Sequence, residues 1–149
     1  MDAKYFKFSV IEAAGFDSGN LSNGDFASGG TDWTAPLHWI ISTGYASFDD
    51  VDAAVLSQAQ ADMTVGMAVS TLYTLYFTIA ISSGTARIQF GNSDMSYEYL
   101  AFDDYAVGDH EVTLTTPDNY FGSPEGLGIR ASGDSTNPFT ITNLRMIEQ

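Results

Sequence analysis

The sequence predicts an all-β fold, a sandwich or barrel of short antiparallel strands. Three observations predict it. Apolar residues recur with a period of two, turn-forming clusters separate those runs at short intervals, and no stretch carries a convincing amphipathic helical pattern. The strongest run is 71–81, TLYTLYFTIAI. In it Tyr73, Leu75, Phe77, Ile79 and Ile81 point one way, and Leu72, Thr74, Tyr76, Thr78 and Ala80 point the other.

Taken in order, the first strand is 4–11, with Phe6, Phe8 and Val10 on one side and Tyr5, Lys7 and Ser9 on the other. A Gly/Ser/Asn-rich joint follows over 15–31. Short strands are expected at 37–42, 45–48 and 53–60; the last lies in an Ala-rich stretch, but Val55, Ser57 and Ala59 fit alternation. After 71–81, Ser82-Ser83-Gly84 makes a turn into 85–90, where Ala86, Ile88 and Phe90 face inward. Gly91-Asn92 leads to 97–102, and Val107-Gly108-Asp109 to 110–115. Pro117-Asp118-Asn119 precedes 126–131, and Gly133-Asp134 precedes 138–147. The expected organisation is an arm and joint over residues 1–20 and one sandwich over 21–149.

Composition agrees with one domain. A chain of 149 residues with 44% hydrophobic side chains buries a sizeable core without covalent staples. It has no cysteine, hence no disulfide framework, thiolate metal site or Cys nucleophile. Nineteen acids against five bases give a net charge of −14, which argues against nucleic-acid and anionic-membrane partners. No apolar run is long enough for a membrane helix. The start, MDAKYFKFSV, lacks the apolar core of a secretion signal, so we expect a chain beginning near Met1. Lys4 and Lys7 make the arm locally basic on an acidic protein. One reading is chance; the other is an assembly arm, carried by Tyr5, Phe6, Lys7 and Phe8, that docks on an acidic neighbour or adds to a sheet edge.

Motifs narrow the fold. The opening segment LSNGDFASGGTDW (21–33) and the closing strand PFTITNLRMIEQ (138–149) resemble the two ends of the jelly-roll carbohydrate-binding modules of families 4, 9 and 22. Leu56-Ser57-Gln58, Val65-Gly66 and the run from Leu72 to Phe77 are similar to the family's "L-x-Q…G-x-x-Y-x-L-x-F". The resemblance covers roughly 21–147 and implies an all-β jelly-roll β-sandwich of two antiparallel sheets. Members often carry a structural calcium whose acidic ligands follow the N-G-x-F motif and the last strand's Ile; here those positions hold Ala27 and Thr142. No cofactor and no metal are therefore expected, with Asp25 and Asn143 as the neighbouring oxygen donors. The clusters Asp49-Asp50-Asp52 and Asp103-Asp104 with Asp109 read as solvated loops, or alternatively as calcium sites.

Short versions of the module with "N-G-D-F-x-S-G…W" and "I-T-N-L" resemble domains of tailed-phage virion proteins. That resemblance implies a non-enzymatic accessory protein of the capsid or tail. It would be present in several copies beside other virion proteins, as a homo-oligomer on the extracellular particle. The alternative is a module that recognises a cell-surface glycan.

Catalytic chemistry is scarce. His38, beside Trp39, reads as a core or edge histidine, and His110 has no evident partner; no nucleophile elbow, metal triad or phosphate loop is present. A sugar site needs aromatic faces and planar polar groups. If Leu100 and Phe102 face inward with Phe77, Ile88 and Phe90, then Tyr76, Arg87, Gln89, Tyr97 and Tyr99 line one outward face. These are the candidate ligand residues, for a glycan or for a protein partner. Trp33 and Trp39 read as core or rim.

Overall fold

The alternation read in 71–81 becomes burial. A computed structural model describes residues 16–49, 51–118, 125–133 and 138–149, and among these nine strands form. They are β1 (Trp39–Ser42), β2 (Tyr45–Phe48), β3 (Ala54–Gln58), β4 (Leu72–Ile81), β5 (Ala86–Gly91), β6 (Glu98–Tyr105), β7 (Gly108–Thr115), β8 (Leu127–Ala131) and β9 (Phe139–Glu148). A five-stranded antiparallel sheet, β1-β2-β9-β4-β7, packs against a four-stranded one, β3-β8-β5-β6. The first expected strand and the arm residues Tyr5, Phe6, Lys7 and Phe8 lie outside the described residues. No helix among those described is long and apolar enough to cross a membrane.

The core lies between the sheets. β4 contributes Tyr73, Leu75, Phe77 and Ile79; β5 contributes Ala86, Ile88 and Phe90; β9 contributes Phe139, Ile141, Leu144 and Met146. Trp39 packs on Phe48 at 5.3 Å and meets Phe139 edge-on at 5.8 Å, while its indole N–H donates to the Ala54 carbonyl at 3.1 Å. A buried indole keeps its polar end satisfied in this way. Trp33 is likewise buried, against Phe26 at 5.4 Å.

The opening motif is a structural loop. Asn23, in the left-handed region at φ 48°, donates from its amide to the Gly29 and Thr31 carbonyls and accepts from the Ser28 N–H. Its own carbonyl and that of Ser22 receive the Trp33 indole N–H. The chain ends meet beside it. β2 pairs with β9 only over Phe139–Ile141, and residues 18–24 take the rest of that flank: Asn20 N–H donates to Met146 O, Met146 N–H to Ser18 O and Leu144 N–H to Gly24 O. Ser18, Gly19 and Asn20, which the sequence places in a joint, are thus hydrogen-bonded into the sandwich. Fully buried Gln58, from the L-x-Q motif, clasps this segment. Its Oε1 accepts the Ser22 N–H at 2.9 Å, and its Nε2 donates to the Ser22 carbonyl at 2.8 Å.

Bulges in two strand pairs shift the pattern. In β5–β6 pairing, the register slips between Ile88 and Phe90 and again before Gly91. An extra residue reverses which side chains face in. Phe102, expected inward, instead lies outward with the Arg87 and Arg130 guanidiniums 5.6 and 5.8 Å from its ring centroid. Tyr99, expected outward, packs against the core and donates its hydroxyl to the Gly126 carbonyl at 3.0 Å. Leu100 packs inward as expected. β6 also runs on through Asp103 and Asp104, which are strand residues and not a loop cluster. A further bulge is in β9, where the pairing slips between Tyr76/Arg145 and Thr78/Thr142 and Asn143 adopts φ 54°.

Candidate functional site

The outer face of the five-stranded sheet carries a groove of about 480 Å³ over β7, β4 and β9. Each lining side chain is placed by register. Tyr76 stands opposite Arg145 on one side and Glu111 on the other. One row on, Thr78 pairs with Asp109 across β7 and with Thr142 across β9. The Thr78 hydroxyl donates to Asp109 Oδ1 at 2.7 Å and receives the Asn143 amide at 3.3 Å. The β9 bulge is what turns Asn143 into this row. Arg145 lies 3.6 Å from the Asp17 carboxylate, and its buried Nε makes no hydrogen bond among the described residues. Phe16, 42% exposed, closes one end. The groove therefore combines a half-buried phenol, a guanidinium, a carboxamide, a hydroxyl and a carboxylate. That is the chemistry that grips the apolar face and the hydroxyls of a sugar.

The five ligand residues expected on one face do not share one. Tyr76 is on the five-stranded sheet, in this groove. Arg87 and Gln89 point from β5, on the four-stranded sheet. Arg87 pairs with Asp104 at 3.5 Å, and the Gln89 amide donates to the Glu98 carboxylate. Tyr97 precedes β6 and meets Tyr99 with ring centroids 6.0 Å apart. Burial pushes the Tyr99 phenol far above its ordinary pKa and pushes that of Tyr105 up to about 12, as suits groups built into packing. The sequence reading missed Phe16, Asn143 and Arg145 as companions of Tyr76. No local signal reveals them, because they join Tyr76 only through strand pairing and a bulge.

The histidines are tied into structure. The His110 ring stacks on Phe77 at 5.3 Å and its Nε2 lies 2.7 Å from the Ala106 carbonyl. His38, at φ 79°, sets Nδ1 3.0 Å from Asp49 and Nε2 3.8 Å from Asp52. Asp50, between those two, is outside the described residues. At the family's calcium position the residues present do not fit the ion. The Thr142 hydroxyl is spent on the Gly44 carbonyl at 2.7 Å, and Asp25 Oδ1 accepts the Ala27 N–H at 3.1 Å. A hard cation needs several free oxygen ligands. Among the described residues no group of three or more His, Asp or Glu side chains is gathered for a metal.

Comparison with solved structures decides the fold. A family 4 carbohydrate-binding module superposes with a TM-score of 0.51 at 13% identity, covering 87% of this chain and 84% of that one. The fold is the jelly roll of carbohydrate-binding modules. The N-terminal cellulose-binding domain of Cellulomonas fimi β-1,4-glucanase C shares this fold (TM-score 0.50, 19% identity, 89% and 97% covered). Part of the enzymatically active domain of tailspike protein 4 of bacteriophage CBA120 shares it too (TM-score 0.53, 12% identity, 89% of this chain and 22% of that one). No protein-family model matches the chain, and no curated protein matches it in sequence.

Proposed function

We propose that this jelly roll is a non-enzymatic carbohydrate-binding module that takes a cell-surface glycan in the groove over β7, β4 and β9. The observation that carries the reading is the convergence of Tyr76, Arg145, Asn143, Thr78 and Asp109 in one open trench. Tyr76 would face the C–H surface of a sugar ring. Arg145, Asn143 and Asp109 would take its hydroxyls in planar, paired hydrogen bonds. The histidines support binding without turnover, since both are engaged with fixed structural partners. The test is a glycan array with the purified chain. Binding is expected, with loss in Tyr76→Ala and Arg145→Ala and no hydrolysis of the bound sugar. Failure to bind any glycan, with or without calcium, would overturn the reading.

A second reading is an accessory protein of a tailed-phage virion, on capsid or tail, in several copies and attached to other virion proteins. The motif resemblance favours it, and so does the apolar end of the same sheet. There Ile40, 63% exposed, borders Ala80, Ile81, Pro138 and Phe139 along a cleft of about 510 Å³. An apolar cleft with an exposed rim at Ile40 suits contact with another protein. Co-purification with particles tests it, with release expected on deleting residues 1–14 or in Ile40→Asp. Particles that keep both variants would dispose of it. The two readings are compatible.

A further inference from the structure

The opposite sheet holds a second groove, of about 750 Å³, between the loop around Leu37 and the loop around Met95. Its one lysine or arginine is Arg130. Of the three arginines among the described residues, Arg87 pairs with Asp104 and Arg145 with Asp17, but Arg130 makes no ion pair there. In a chain with 19 acids and five bases, a cation left without a carboxylate is notable. It is also held in place: the guanidinium lies over Phe102, which Arg87 flanks as well. An arginine stacked on a ring keeps its N–H fork free for a second partner.

The walls are shaped for an occupant. Gly91 and Gly128 let the Met95 side chain lie down on the sheet, where a Cβ on either would stand 2.9 or 2.8 Å from its sulfur. Met95, Val55 and Leu37, which is 80% exposed, then give apolar sides around the guanidinium. Each of the two rim carboxylates turns one oxygen to a neighbour in the chain. Asp94 accepts the Ser96 N–H at 2.9 Å, and Asp52 faces the His38 ring at 3.8 Å. Ser96 hydrogen bonds hold Asp94 below its ordinary pKa, so it stays an acceptor at neutral pH.

We propose that this groove binds a uronate-containing glycan, with Arg130 forked onto the sugar carboxylate. Arginine matches a carboxylate with two parallel hydrogen bonds. The apolar walls take the C–H face of the ring, and the rim acceptors Asp52 and Asp94 take hydroxyls. The net negative charge of the chain does not forbid an anionic ligand, because distant charges are screened beyond about 8 Å at physiological salt, and the two near carboxylates, Asp52 and Asp94, meet ring hydroxyls while Arg130 meets the sugar carboxylate. The inference does not rest on the groove of Tyr76, which lies on the other sheet.

The test uses trigalacturonic acid and neutral galactotriose with the full chain, followed by calorimetry and by amide shifts in NMR. Trigalacturonate is expected to bind and galactotriose to bind at least about tenfold more weakly. Shifts should centre on Leu37, Val55, Met95 and Arg130. Arg130→Gln should weaken trigalacturonate by about tenfold or more while the far-ultraviolet spectrum stays unchanged. Tyr76→Ala should leave trigalacturonate affinity as it is, which separates this site from the one proposed above. Equal binding of the two trisaccharides, unchanged affinity in Arg130→Gln or no binding of trigalacturonate would overturn the proposal. So would tighter binding of an acetylated tripeptide through its free C-terminal carboxylate, which would make the groove a peptide site.

Discussion

The Leu144 N–H donates to the Gly24 carbonyl at 2.9 Å, and a Cβ on Gly24 would stand 2.0 Å from the Leu144 carbonyl oxygen. Twenty-odd residues from one end and the last strand of the other are thus zipped at a distance only glycine permits. The neighbouring atom is backbone in a central strand and cannot swing aside. Gly24→Ala is therefore expected to cost about 3 kcal/mol, read as a lower urea midpoint at unchanged m-value.

Gln58 joins the same seam from the other sheet. Removing its amide strips the part-buried Ser22 N–H of its acceptor and leaves the Ser22 carbonyl with the Trp33 indole N–H alone, and an unmet donor costs more than the bond itself contributes. Gln58→Leu should lose about 2–3 kcal/mol despite its added apolar surface. A melting temperature equal to the parent's would refute the clasp.

Burial raises the phenols of Tyr105 (to about 12) and Tyr99 above the ordinary value of 10.0. The folded chain then holds protons that the unfolded chain releases. Stability from these groups is full below about pH 10 and falls as pH rises from there toward the folded values. Alkaline unfolding followed by circular dichroism should show this decline. Tyr105→Phe, which removes one titrating group, should move its onset to higher pH.

Asn143 sits at φ 54° in the β9 bulge. Glycine accepts that geometry and a β-branched residue does not. Asn143→Gly should change stability by less than about 0.5 kcal/mol, whereas Asn143→Val should cost about 2 kcal/mol. Because the bulge also aims the groove, Asn143→Val should reduce binding of whatever glycan the array identifies. An unaltered affinity in a folded valine variant would separate the bulge from recognition.

Tyr99→Ala and Tyr76→Ala should differ in kind. Tyr99 is packed against the core and bonded to Gly126, so its loss should lower the melting temperature. Tyr76 is half-buried on an outer face, so its loss should spare the fold and weaken glycan binding. A Tyr99→Ala protein of parental stability would contradict this division.

Local sequence determined the architecture, nine strands among the described residues, and the facing of those without a bulge. Period-two alternation is set residue by residue, so Tyr73, Leu75, Phe77 and Ile79 read as core and are buried. The NGDF and ITNL ends read as partners and are hydrogen-bonded together. Pairing between distant strands decided the rest. Alternation says in or out but not which sheet, and consecutive strands β4 and β5 lie in opposite sheets. Tyr76 is thereby parted from Arg87 and Gln89 and joined to Arg145 and Asn143 instead. A bulge is likewise a mismatch between two strands, invisible in either alone. That is why Phe102 and Tyr99 exchanged faces, and why Arg130, with no ion pair among the described residues, came to rest above an aromatic ring that the sequence had placed in the core.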